Sequence, residues 1–323
     1  MTLKTRILRF IHRIMLRLLH IERRLEPWFR PQWNRLFREP SAGIIQFFIN
    51  LRRRDEGLQL AEDKIDPDEE ASLDEIIDLM ADQMRGYFKP GGYERGGNTK
   101  THGILRAEVT IRDDLPAHCR KGIFAQAGSY PAYVRYSGPG PDVPADIEDV
   151  GFTSMAVKLM GVPGEKLMDE EACTQDFITI CTPTFVTPNT RENAKLQYWS
   201  LVDMPIYYFL NPKDPHILDF LMQSLWNETQ YNPLGQRYWS CVPYLLGEGQ
   251  AMMYSFVPKT EVDRDIAGLP FGSPPFNYLR ENMIKTLSKK AVEFDLMSQL
   301  QTDPHRRPIE NAAVRWPERL SPC

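Results

Sequence analysis

From Leu105 onward the chain repeatedly alternates apolar with polar side chains at a period of two. Leu105, Ala107, Val109 and Ile111 interleave with Arg106, Glu108 and Thr110, and similar stretches cover 132–137, 155–160 and 177–181. Residues 238–245 and 251–257 flank Gly247-Glu248-Gly249 and read as a hairpin. Val292, Phe294, Leu296, Ser298 and Leu300 alternate again near the C-terminus. Such strands bury one face only, which antiparallel sheets allow and doubly wound parallel sheets do not. Helical stretches near 192–226 and 276–291 are inserted between them. The pattern predicts an α+β chain whose antiparallel sheet closes, or nearly closes, into a barrel of about eight strands.

The first 90 residues differ in character. Residues 1–54 carry 13 Lys/Arg against 3 acids, whereas the remainder carries 26 against 40. Leu3, Ile7, Phe10, Ile14, Leu18, Ile21 and Leu25 recur at helical spacing, with Arg6, Arg9, Arg13, Arg17 and Arg24 on the opposite side. This basic amphipathic helix fits an anionic membrane surface through residues 3–25. It fits equally an arm docked on the acidic body or on a second subunit, which leaves a homo-oligomer open. A transit peptide is the weaker third reading. Nucleic acid is not expected as a partner, because the body is acidic and the apolar stripe would have no role there. Residues 44–51 are apolar and predict packing. The acidic run 62–70 reads as a loop, and Ser72 with Glu75 as a capping box opening a helix whose buried face is Ile76, Leu79, Met80 and Met84. The chain therefore divides into an arm with helices, 1–90, and a barrel domain, 91–323.

Five widely spaced cysteines with no C-x-x-C pair fit a reducing compartment. No apolar run reaches about 18 residues, so no membrane-spanning helix is expected. The localisation read from this is cytoplasmic, or peripheral to a membrane.

Dinucleotide, P-loop, H-E-x-x-H and G-x-S-x-G motifs are all missing. His102 stands between a glycine-rich loop and a strand, in Lys100-Thr101-His102-Gly103. Alone, such a histidine is more often structural. It is followed, in order, by Tyr133-Val134-Arg135-Tyr136-Ser137, by 155–164 (MAVKLMGVPG), by Thr174-Gln175-Asp176-Phe177 and by Thr182-Pro183-Thr184-Phe185.

This ordered set resembles the haem catalase superfamily, and more closely its shorter catalase-related members, the mini-catalases, over about 91–322. The resemblance implies haem b beside an eight-stranded barrel. It makes His102 the distal acid/base, with Thr101 before it and Ser137 orienting it from behind. Arg135 and Phe185 would contact the haem. Cys181 stands where catalases carry a distal Asn, and Thr153-Ser154 where Arg-Gly is common. The proximal R-x-x-x-Y motif is missing, since no Arg in the chain has Tyr four residues later. The segment that should carry it would follow Trp316-Pro317-Glu318, so the sequence reads as truncated or as lacking the axial ligand.

The resemblance thus implies a haem peroxidase acting on peroxides, and Cys181 in place of Asn together with the amphipathic helix at 3–25 favours organic or lipid hydroperoxides over hydrogen peroxide. The alternative is a haem-poor pseudoenzyme or binding protein on the same fold. Two structural expectations follow: Thr101, His102, Arg135, Ser137 and Cys181 line one cavity, and Ser137 hydrogen-bonds His102.

Overall fold

The alternation becomes a single sheet of eight antiparallel strands in the computed structural model, which describes residues 3–149, 151–166, 171–202 and 204–318, without the side chains of 3–9 and 11–13. β1 (Thr101–Ile111), β2 (Gly128–Ser137), β3 (Ser154–Met160) and β4 (Thr174–Ile180) form a meander. β4 pairs with β5 (Tyr238–Ser240), β5 with β7 (Ala251–Pro258), and β7 with both β6 (Tyr244–Leu245) and β8 (Phe294–Leu300).

The inward-facing residues of these strands make the main core. Val134, Tyr136, Met155, Val157, Leu159, Phe177, Tyr238, Tyr254 and Phe256 pack together, with Phe177 set edge-on against both Tyr254 and Phe256. Edge-on geometry suits the ring quadrupoles and adds to the area buried.

The barrel is not closed. Among the described residues no ladder joins β1 to β8. The segment after β1 lies against that edge instead: Cys119 Sγ is 3.8 Å from Ser298 Oγ of β8, and Gln250 Nε2 donates to the His118 carbonyl at 3.0 Å. Ile123 and Phe124 of the same segment cover the core from there. A loop at a sheet edge replaces the missing ladder and shields the edge.

Among the described residues seven α-helices accompany the sheet. α1 (Leu3–Trp33) runs past the predicted end and continues through a π turn (Asn34–Arg38) into α2 (Glu39–Arg52). Pro27 and Pro31 lie inside α1 without ending it. α3 (Glu69–Tyr87) starts before the expected capping box: Ser72 is buried inside the helix and its N–H bonds the Asp68 carbonyl. Ile76, Leu79, Met80 and Met84 do face inward, each half-buried. α4 (Thr190–Leu201), α5 (Ile206–Leu210) and α6 (Ile217–Ser224) fill the connection from β4 to β5, and α7 (Tyr278–Leu287) precedes β8.

The arm docks by its polar side. Arg23, Glu26, Arg30, Asn34 and Arg38 follow one another at three- and four-residue spacing, and all meet the segment 224–229. Arg23 donates to Asn227 Oδ1 at 2.7 Å, and Arg30 caps the end of α6 through the carbonyls of Ser224 and Leu225. Glu26 accepts from the Thr229 N–H and hydroxyl at 2.6 and 2.7 Å, and Arg38 pairs with Glu228 at 2.6 Å. α2 adds a smaller apolar contact, Ala42 and Ile49 on Met222, Leu225 and Trp226. The run 44–51 is thus only partly packed: Ile44, Phe47, Phe48 and Leu51 stay exposed.

Candidate functional site

His102 is the extra residue of a β-bulge. β1 pairs Thr101 with Ser137 and Gly103 with Tyr136, so no β2 residue stands opposite the histidine. By alternation it shares its parity with Ile104 and Arg106, both exposed. The bulge turns it inward, and only 2% of it is exposed.

Its neighbours there are ionic. Lys100 Nζ sits 2.6 Å from Asp146 Oδ1 and donates to the Pro144 carbonyl, and Asp146 Oδ2 accepts the Leu279 N–H. His102 Nδ1 is 3.6 Å from Asp146 Oδ1, beyond hydrogen-bond range, and neither ring nitrogen has a partner. Burial pushes the imidazole down to about 4, with Asp146 opposing and Lys100 and Arg135 assisting. At neutral pH it is uncharged.

The other strand-end residues converge on a different group. Arg135 Nη2 and Nε reach Thr101 Oγ1 at 2.7 and 3.2 Å, Nη1 reaches Ser137 Oγ at 3.2 Å, and Nη2 also donates to the Asn98 carbonyl. The Ser137 hydroxyl donates to Asn98 Oδ1 at 3.4 Å. The expected Ser137–His102 bond is therefore absent. The bulge separates the two, because it moves His102 off the face that carries Thr101, Arg135 and Ser137. Asn98 has φ of 51°, a left-handed conformation that Asn tolerates better than most side chains.

Cys181 lies in the closed core beside Met155, Tyr136 and Tyr238. Its sulfur accepts the Thr153 N–H at 3.1 Å, and the Thr153 hydroxyl is 3.1 Å from Tyr238 Oη. Burial pushes the thiol up to about 11. Phe185 is half-buried, its carbonyl accepting from Gln223 Nε2, and lines a small cavity of about 340 Å³ beside α3 and α4.

A larger cavity, about 1070 Å³, lies between α1, α3, α4–α6 and the loops at Gly97 and Pro139. Trp33, Phe152, Ile180, Val186 and Phe209 give it apolar walls, and Arg23 and Glu26 face it from α1. None of the six residues singled out in the sequence lines it. Asn98 stands at its rim: Gly97 and Pro139 line the cavity, and the Asn98 N–H bonds the Pro139 carbonyl at 3.1 Å.

No family model and no curated protein matches the sequence. Solved structures do match. A fungal catalase superposes with a TM-score of 0.56 at 14% identity, over 84% of this chain and 55% of that one. Catalase A from Saccharomyces cerevisiae superposes with a TM-score of 0.55 at 12% identity, over 84% of this chain and 57% of that one. The fold is catalase-like. At these identities the likeness is one of fold, and the chain spans little more than half the length of those catalases.

The residues present do not build the haem site that the sequence resemblance implies on this catalase-like fold. His102 does not line the large cavity, and Arg135 is engaged by Thr101, Ser137 and Asn98. Ferric iron in this chemistry takes a tyrosinate. Tyr136, Tyr208, Tyr238, Tyr254 and Tyr278 do not line the large cavity, and the tyrosine that does is Tyr87 of α3.

The decisive residues missed in the sequence are Asn98, Lys100 and Asp146. Gly96-Gly97-Asn98 carried a turn signal that could have marked the left-handed residue. Asp146 carried none, because its role depends on a contact 44 residues from His102.

Proposed function

We propose that this protein binds a largely apolar small molecule on a catalase-like scaffold and does not itself cleave peroxides. One observation supports this reading above others: the serine expected to orient a distal histidine and the arginine expected to contact haem are both bonded to Asn98. An amide neither takes nor returns a proton near neutral pH, so the group at the cavity rim cannot shuttle protons between peroxide oxygens. The cavity beside it has apolar walls. Three of the charges in its α1 wall are already engaged, Arg23 by Asn227, Glu26 by Thr229 and Arg30 by the Ser224 and Leu225 carbonyls. That pairing favours an uncharged or amphipathic ligand over a strongly anionic one.

A second reading is a haem-dependent peroxidase acting on organic or lipid hydroperoxides. It is favoured by His102, a neutral imidazole with two unpartnered ring nitrogens.

One experiment separates them. The purified chain is titrated with hemin and, separately, with a fluorescent fatty acid, and peroxide consumption is followed at each hemin ratio. The binding reading expects saturable one-to-one uptake of the apolar probe, and peroxide loss no faster than with hemin alone. Stoichiometric haem with a tyrosinate-type spectrum, and peroxide turnover abolished by His102→Gln, would establish the peroxidase instead.

A further inference from the structure

The arm is an amphipathic helix docked the opposite way from the usual one. Surface helices bury their apolar stripe and expose the polar face. α1 buries Arg23, Glu26 and Arg30 against 224–229 and leaves its apolar stripe in solvent. Phe10, Ile14, Leu18, Ile21, Leu25 and Trp28 succeed one another at three- and four-residue spacing, each between 42% and 65% exposed. The stripe is roughly 27 Å long at the helical rise. The ring of Phe271, itself 90% exposed, contacts Trp28 edge-on and widens it. Exposed apolar surface on this scale marks an interaction site.

We propose that this stripe lies in the headgroup region of an anionic lipid bilayer and holds the protein at the membrane surface. Charge is the first argument. The arm of residues 1–54 has a net charge of +10, and the exposed Arg17 and Arg35 border the stripe on one side. Shape is the second. The stripe is a ridge along one helix, and a fluid bilayer accommodates a ridge, whereas a protein partner would need a matching groove. Trp28 and the arginines are the residue types that settle at a membrane–water boundary. No described helix is long and apolar enough to cross a membrane, so α1 lies on the surface rather than spanning it.

The test is co-sedimentation of the full chain with phosphatidylcholine vesicles, with and without phosphatidylserine. Wild type is expected to pellet with the mixed vesicles, less so at high salt, and weakly with phosphatidylcholine alone. The double variant L18E/I21E changes only exposed side chains and should remain in the supernatant with an unchanged circular-dichroism spectrum. Should that variant misfold, R17Q/R35Q provides the second arm, with partitioning lowered about 5-fold per arginine, roughly 30-fold together. Wild type that stays in the supernatant, or variants that bind as well as wild type, would overturn the proposal. So would self-association in velocity sedimentation that L18E/I21E abolishes while vesicles bind neither protein, since a second copy would then be the occupant.

Discussion

The Ser137 hydroxyl donates to Asn98 Oδ1 at 3.4 Å, while no bond links it to His102. The amide is held from behind as a catalytic imidazole would be, and Arg135 grips the Asn98 carbonyl from the same side. The left-handed backbone at Asn98 makes this arrangement testable. Asn98→Gly should leave stability nearly unchanged, because glycine adopts that conformation without a steric penalty. Asn98→Val should lower it by about 1–2 kcal/mol, since a β-branched residue is strained there. Urea midpoints of the two variants check the difference.

His102 and His216 should give the protein opposite pH dependences. The folded His102 imidazole is depressed to about 4 from a usual value near 6.5. Between those values the unfolded chain holds the extra proton, so stability falls as pH drops from about 6.5 to 4, by roughly 3 kcal/mol in total. His216 is raised to about 9 by pairing with the carboxylates of Asp219 and Glu192, 3.4 and 3.2 Å from its ring nitrogens. Its contribution is complete below about 6.5 and is lost as pH rises to 9. Denaturation midpoints across pH should flatten on the acid side in His102→Gln and on the alkaline side in His216→Gln.

Seating of the arm should depend on Glu26 and Gly151. Glu26→Ala leaves the Thr229 N–H unpaired in a buried place while the hydroxyl keeps the Arg23 carbonyl, at a cost of about 2 kcal/mol. Gly151 has φ of 79°, and a Cβ there would run into the Arg23 guanidinium and the Asn227 side chain. Both Glu26→Ala and Gly151→Ala should expose residues 1–54 to limited proteolysis well before the sheet is cut.

Cys181 should be chemically silent. Its thiol is buried, and burial raises it to about 11, so little thiolate forms and reagents cannot reach it. In native protein iodoacetamide should label the exposed Cys173 first and leave Cys181 unmodified until urea is added. Prompt native labelling of Cys181, read by peptide mass spectrometry, would mean that this part of the core opens.

The sequence by itself determined most of the secondary structure. Half-buried strands and helices have periods of two and 3.6, and these periods are local. Thus 105–111, 155–160 and 292–300 could be recognised as strands, and the glycines at 247 and 249 as a hairpin. The ordered segments from His102 to Phe185 pointed to the catalase-like fold that the superpositions show. Tertiary structure decided what local pattern does not encode. Alternation counts residues and so cannot register a bulge, yet the one between Thr101 and Gly103 moves His102 from the face of Ser137 to the side of Asp146. The hydrophobic pattern of α1 located its apolar stripe but not which face would dock. That was decided by Asn227, Glu228 and Thr229, about 200 residues away, which offer the polar partners that Arg23, Glu26 and Arg38 require on burial.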